Sequence, residues 1–482
     1  MKKINLNTWA TSVLLVFFSV TSCKDLDEEP LSFVAPEQFY SSPSQVEASF
    51  AASMNRLWSI WEGYSFNGLG YFTHDDQVSG YSNGNLVIGN NYASDLWDRH
   101  YAAIRNLNTA IAAIKKGSLN GSTSPEEIDA LLAEAKFLRG FNYFMLVRMF
   151  GELPLLTDKS PDPISSPIGR SVIADVYQLI VDDFTEAADN LPAIRPASQQ
   201  GRPTSGAAKG LLAKAYLTMA TAPLNDVSNY EKAADVAWQV IQEGNYSLVQ
   251  DINKVFSLET KYGPEIMWSF NSNYQDQYTN PQIFRPGFLG GWSNYRAERE
   301  WEEKYPASLR KDAYVLTVVD GVHYSQWPEQ APFIKKFMYD KPEDYNSYVS
   351  VMNFPIIRYA DILLIYAEAA NMASGGPTTE AVNAINQVID RGNGYIDNPL
   401  HPRLTTDMSK EDFDDSVIEE RNLELCFELG DRWFDLVRKR ILKEKSVQSI
   451  QQNFSEADYL FPIPDKEIQI NPLITQNPGY TT

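Results

Sequence analysis

The sequence predicts a mainly α fold in which tetratricopeptide-like helix pairs form a scaffold, with long irregular aromatic-rich loops and little strand. Three observations carry this. Apolar residues recur at helical spacing between residues that start and stop helices. One short phrase returns in three of those helices, and two long stretches between them have no period.

The first element is a leader. After Met1-Lys2-Lys3 an apolar run from Trp9 to Val20 is too short for a lasting membrane helix, which takes about 20 residues. A basic start, an apolar middle and the small residues Thr21 and Ser22 are the layout of a secretory signal peptide. The box Val20-Thr21-Ser22-Cys23 resembles a bacterial lipoprotein signal, although the leucine usual three residues before the cysteine is missing. On this reading residues 1–22 are removed and Cys23 receives the lipid. Each buried methylene contributes about 0.8 kcal/mol, so a multiply acylated cysteine holds a protein on a membrane. The acids that follow, "KDLDEE", resemble an export signal of surface-exposed outer-membrane lipoproteins. The alternative is a disulfide between Cys23 and Cys426, the other cysteine of the chain. Residues 23–40 then form a tether and 41–482 a single fold, with scaffold mainly in 41–61, 93–245 and 356–440 and loops in 62–92 and 261–355.

The clearest helix is "TSPEEIDALLAEAKFLRGFNYFMLVRMFG". Ser124 can cap it, Pro125 suits the first helical position and Glu127 completes a capping box. Ile128, Leu131, Leu132, Ala135, Leu138, Met145, Leu146 and Met149 form one apolar stripe, and Phe137, Phe141 and Phe144 a second. A helix apolar on two faces is sandwiched between neighbours. Its phrase "LLAEA" returns as "LLAKA" at Leu211–Ala215 and as "LLIYAEA" at Leu363–Ala369. Two of these helices are followed by a turn and a second helix, with Gly244 and Gly392 as expected stops. The copies depart from the regular period of about 34 residues, so they read as degenerate units with long insertions. Trp97 and Tyr101, at helical spacing, read as core.

The insertions are rich in aromatics. The chain has 26 Tyr, 24 Phe and 10 Trp in 482 residues, too many for the long loops to be disordered linkers. The net charge of −21 argues against nucleic acid, whose binding rests on lysine and arginine at phosphates. "GYSNG" at 80–84 fits a nucleophile elbow by letters alone, since neither a strand nor a helix is indicated around Ser82. The 4 histidines are scattered and no cysteine cluster exists, so no metal site and no cofactor are expected. "EDFDDS" reads as the acidic first turn of a helix. Glu420, Arg421, Glu424, Glu428, Arg432 and Asp435 read as an internal ion-pair network around Gly430, with Trp433 and Phe434 beneath.

In order along the chain, "CKDLDEE", "LLAEAKFLRGFNYFMLVRMFGELPL", "GRPTSGAAKGLLAKAYL", "RYADILLIYAEAA", "ELCFELGDRWFDLVRKR" and "FPIPDKEIQINPLITQNPGY" resemble the SusD/RagB-like outer-membrane lipoproteins of Bacteroidetes. The link "ELGDRW" is a residue longer than the commonest form of that motif. The resemblance implies four tetratricopeptide-like pairs supporting ligand loops. It implies capture of oligo- or polysaccharide at the cell surface, without cleavage, and a position as lid on a SusC-like TonB-dependent transporter, anchored to the outer membrane by lipid. The family's aromatic arc is fed by features similar to "DDQVSGYSN" and "GGWSN" here, which nominates Tyr81, Asn83, Trp292 and Tyr295. A flat aromatic face suits the C–H face of a sugar ring, and an asparagine amide both donates to and accepts from hydroxyls. The competing readings are a peptide-binding RagB-like lipoprotein and a glycoside hydrolase.

Overall fold

The computed structural model describes residues 39–61, 77–79, 90–119, 121, 123–161, 165–273, 280–338, 350–446 and 448–480. The leader, Cys23 and most of the expected tether lie outside these residues. No described helix is long and apolar enough to cross a membrane.

Paired helices dominate the described chain. α1 (Pro43–Trp61) packs on α2 (Asn90–Lys115), and α3 (Pro125–Phe150) on α4 (Ile173–Asn190). α5 (Ser205–Met219) pairs with α6 (Asn229–Glu243), and α7 (Tyr359–Ser374) with α8 (Thr379–Gly392). Consecutive pairs also touch, α2 on α3, α4 on α5 and α6 on α7, so each pair closes the apolar face of the next. α9 (Lys410–Glu424) leans on α7 and is followed by α10 (Asp431–Arg438).

α3 is sandwiched as its two stripes require. Phe137, Phe141 and Phe144 are all buried, and the Trp268 ring stands edge-on to Phe137 and Phe141 at 4.7 and 4.9 Å. Gly140 lets α4 approach: a Cβ there meets Phe184 at 3.1 Å. Beside it, Arg139 grips Asp183 of α4 through two 2.8 Å bonds, the two-pronged geometry that suits a buried guanidinium. The α3 start has Pro125 first and the Ser124 hydroxyl accepting from the Glu127 amide at 3.2 Å, while the return bond from the Glu127 side chain that a full capping box needs does not form. Ser124→Ala is expected to cost about 1 kcal/mol, read as a lower urea midpoint with an unchanged slope.

The other helix punctuation is partly as expected. α6 stops at Gly244, which is left-handed at φ 67°. α9 starts with Glu411 and Asp412 in its first turn behind the Ser409 cap. α8 ends at Gly392 as expected, although Gly392 itself is helical and the left-handed reversal falls on Gly394 at φ 70°. Gly392 also makes room for the Arg310 guanidinium, which a Cβ would meet at 3.0 Å.

The strands are short and sit in the insertions. β1 (Gln77–Ser79), β3 (Tyr295–Ala297), β7 (Phe333–Ile334) and β4 (Val315–Leu316) form an antiparallel sheet in the order β1-β3-β7-β4. β2 (Ile266–Phe270) pairs with β8 (Phe354–Arg358), which clips the two ends of the large insertion together at the start of α7. β5 (Val318–Val319) and β6 (Val322–His323) make a small hairpin.

Candidate functional site

Sheet pairing joins the two insertions. Ser79 is opposite Tyr295 and Gln77 opposite Ala297, so residues 77–79 are held against residues 295–297 by antiparallel backbone pairing. Tyr81 and Asn83 lie outside the described residues, two and four positions beyond Ser79.

Trp292 is presented by a tight turn. Gly290 is left-handed at φ 74°, and a Cβ on Gly291 would stand 2.1 Å from the Arg285 carbonyl oxygen, so only glycine fits there. The Trp292 amide donates to the Gln282 carbonyl at 2.7 Å, and the Ser293 and Asn294 amides to Arg285 and Ile283 at 3.0 and 3.1 Å. This ladder fixes the backbone while the indole stays 43% exposed. Glu329 braces the same turn, its Oε1 accepting from the Gly287 amide at 2.8 Å and from the Ser293 hydroxyl at 3.1 Å.

Phe288 shares the turn and is also 43% exposed. Its ring is backed by the buried Trp327 at 5.1 Å, and Trp327 in turn meets Tyr324 and Phe333. The Tyr324 hydroxyl donates to Glu302 at 2.9 Å; burial and that carboxylate push its pKa up to about 12, so it stays a neutral donor. Sequence reasoning passed over Phe288, although it stands two residues before the glycine pair.

Tyr295 does not belong to an open face. It is 1% exposed, its ring lies 5.8 Å from Phe284, and the alternation of β3 turns Tyr295 and Ala297 inward while Arg296 is less buried. Of the aromatics in the insertion, Trp268, Phe284, Trp301, Tyr324 and Trp327 are likewise core. Trp97 and Tyr101 are core as expected, at 3% and 4% exposure.

Two family profiles match, one described as "Starch-binding associating with outer membrane" over residues 35–217 and one described as "SusD family" over residues 250–480. The chain belongs to the SusD/RagB-like family. It is 28% identical to SusD-like protein P2 of Formosa agariphila, over 97% of this chain and 98% of that one. It is 28% identical to a SusD-like protein of Bacteroides ovatus, over 89% of this chain and 81% of that one. A crystal structure of a SusD homolog from Bacteroides thetaiotaomicron superposes with a TM-score of 0.80 at 24% identity, covering 92% of this chain and 98% of that one. A structure described as a laminarin-binding SusD-like protein superposes at 0.71 with 23% identity, covering 91% of this chain and all (100%) of that one. These likenesses establish the shared fold.

In this SusD-like chain the charged C-terminal stretch is interior structure. Glu424 accepts from Arg391 at 2.7 Å, from Arg310 and Arg358 at 3.1 Å each, and from the Tyr314 hydroxyl at 2.9 Å. Arg358 also holds Glu265 and Glu428, while Arg421 spans Asp361 and Asp435 at 2.6 and 2.7 Å. Lys336 ties the Glu424–Glu428 turn by donating to the carbonyls of Glu424 and Cys426 and to the Glu428 carboxylate, at 2.6–2.9 Å. Phe427 in that turn and Leu429 just after it have positive φ, before the left-handed Gly430, and Trp433 is fully buried. Cys426 is fully buried, its sulfur 3.4 Å from the Leu423 carbonyl. Among the described residues no group of three His, Cys, Asp or Glu side chains is placed to hold a metal ion.

Proposed function

We propose that this SusD-like chain captures oligo- or polysaccharide at the cell surface and passes it to a SusC-like TonB-dependent transporter of the outer membrane. It binds without cleaving, and Cys23 carries the lipid that keeps it at the membrane. The observation that carries the binding reading is Trp292, exposed on a braced glycine turn while most of the described aromatics of the large insertion are buried. A partly exposed ring offers stacking area to the apolar face of a sugar. Phe288 extends that area, and Tyr81 and Asn83 follow the strand that pairs beside it. The family profile named for starch binding and the laminarin-binding neighbour support the ligand class.

Affinity electrophoresis through gels containing starch, laminarin or other soluble polysaccharides tests the reading. Retardation by at least one glycan, with no reducing sugar released on prolonged incubation, is expected. Released sugar would show a hydrolase. No retardation by any glycan, together with saturable binding of peptides, would replace the glycan by a peptide ligand. Extraction in mild detergent is expected to bring a large β-barrel protein with the chain, and intact mass is expected to show acyl groups on Cys23. Repeated isolation of the lipoprotein alone, or a mature form without acyl groups, would remove those two parts.

A further inference from the structure

A cavity of about 470 Å³ lies between the C-terminal end of α3, α5, α10 and the segment around Tyr459, and none of its lining comes from the large insertion. Its size is that of a small-molecule site, typically about 300–1,000 Å³. Ile173, Leu217, Pro223, Val437 and Leu460 give it apolar walls.

Arg148, near the end of α3, is set into this wall in an unusual way. Its guanidinium is clamped between two rings, with centroid distances of 3.9 Å to Phe144 and 3.8 Å to Phe434. Nε donates to the Phe144 carbonyl at 3.1 Å, and Nη2 rests against the Met145 sulfur, a weak acceptor. No ion pair of Arg148 forms among the described residues, and both ring-covered faces leave its edge as the free approach. Burial lowers its pKa to about 10, against the pull of Asp431 and neighbouring groups, so it remains a cation at neutral pH.

The other cations lining the cavity are matched. Lys214 holds Asp431 at 2.6 Å, Arg421 holds Asp361 at 2.6 Å, Arg438 holds Glu368 at 2.5 Å, and Arg440 holds Glu456 at 2.5 Å. Asp435 is taken by Arg421 and Arg438. The nearby acids are therefore committed elsewhere, and Arg148 is left with π-faces and a sulfur in place of a carboxylate.

We propose that this cavity is a binding site for a small monoanionic carboxylate with an apolar body, its carboxylate on the edge of the Arg148 guanidinium and its body against the aliphatic walls. A planar carboxylate matches the planar fork when both faces are blocked by rings. A dianion is disfavoured because Asp431, Asp435 and Glu456 line the same space. The site is separate from the glycan platform and does not depend on it.

Benzoate and its uncharged counterpart benzamide are the probes, titrated into the mature chain and followed by ligand-observed NMR. Benzoate is expected to bind saturably, with benzamide about tenfold or more weaker, and Arg148→Gln to weaken benzoate by a similar factor. Val437→Trp, which fills the cavity and leaves Arg148 in place, is expected to abolish binding even if the arginine variant fails to fold. Crystals grown with 4-iodobenzoate should place the iodine, by its anomalous signal, inside this cavity. Equal binding of benzoate and benzamide, unchanged affinity in either folded variant, iodine located elsewhere, or no saturation would overturn the proposal. Tighter binding of inorganic phosphate than of benzoate would overturn the ligand class.

Discussion

Glu424→Ala is expected to lower the stability of the folded chain by about 3–5 kcal/mol, the usual cost of breaking a buried ion network by removing one member. Glu424 is fully buried and touches three guanidinium groups, those of Arg310, Arg358 and Arg391. After its removal Arg310 keeps Glu420, while Arg358 and Arg391 are left to Glu265 and Glu428. The interior then holds one more cation than the wild type balances, in a place water does not reach. A domain is stable by only about 5–15 kcal/mol, so the loss is a large share of the total. The urea midpoint of the purified variant measures it. A change below about 1 kcal/mol would mean that the arginines relax toward other acceptors.

The same network sets the acid limb of stability. Burial pushes the Glu424 carboxyl up, but Arg391, Arg358 and Arg310 outweigh it and hold the group well below the usual carboxylate range. Glu368 follows the same logic, with burial overcome by Arg438 and Lys439, and Asp361 with burial overcome by Lys214 and Arg421. Each folded-state value is depressed below the unfolded value of about 4. Their contribution is therefore fully present above that value and lost as pH falls through the folded value. The stability difference between wild type and Glu424→Ala should accordingly shrink as pH falls below about 4.

Local signals were legible in the sequence where the physics is local. Ser124, Gly244 and the acidic pair Glu411 and Asp412 act on amides or turns within a few residues, so their roles follow from spacing. Trp97, Tyr101 and the phenylalanines of α3 are core because helical periodicity fixes which face they occupy. The ion network was legible only by half. Glu424 and Arg421 were visible together, whereas Arg310, Arg358, Arg391 and Glu265 come from distant segments that only folding assembles. In the large insertion the difficulty is of another kind. Trp292 and Tyr295 stand three residues apart in "GWSNY", yet one is open and the other closed. What separates them is β3, a strand of 3 residues too short to leave an alternating pattern. Gly392 ends α8 as its spacing indicated, but the space it keeps was not legible, since the arginine that fills it comes from far along the chain.

Trp292→Ala is expected to weaken glycan binding by about 1–3 kcal/mol, roughly 5- to 150-fold, by analogy with loss of one ring from a stacking site. The melting temperature should barely move, because the indole is 43% exposed and the turn is held by backbone bonds from Trp292, Ser293 and Asn294. Alanine leaves all three of those amides in place. Tyr295→Phe is the contrasting control: its ring is interior and the change keeps that ring, so glycan affinity is expected to stay unchanged. Phe288→Ala should fall between them, since its ring is equally open but leans on Trp327 and gives up part of its area to that contact. Titration calorimetry on the three variants, with whichever polysaccharide the gels identify, resolves the order. If Trp292→Ala binds as tightly as the wild type, sugar capture lies away from this turn and the platform reading falls. If it instead unfolds at a lower temperature, the indole is holding the loops together, and its exposure then reflects structure rather than ligand.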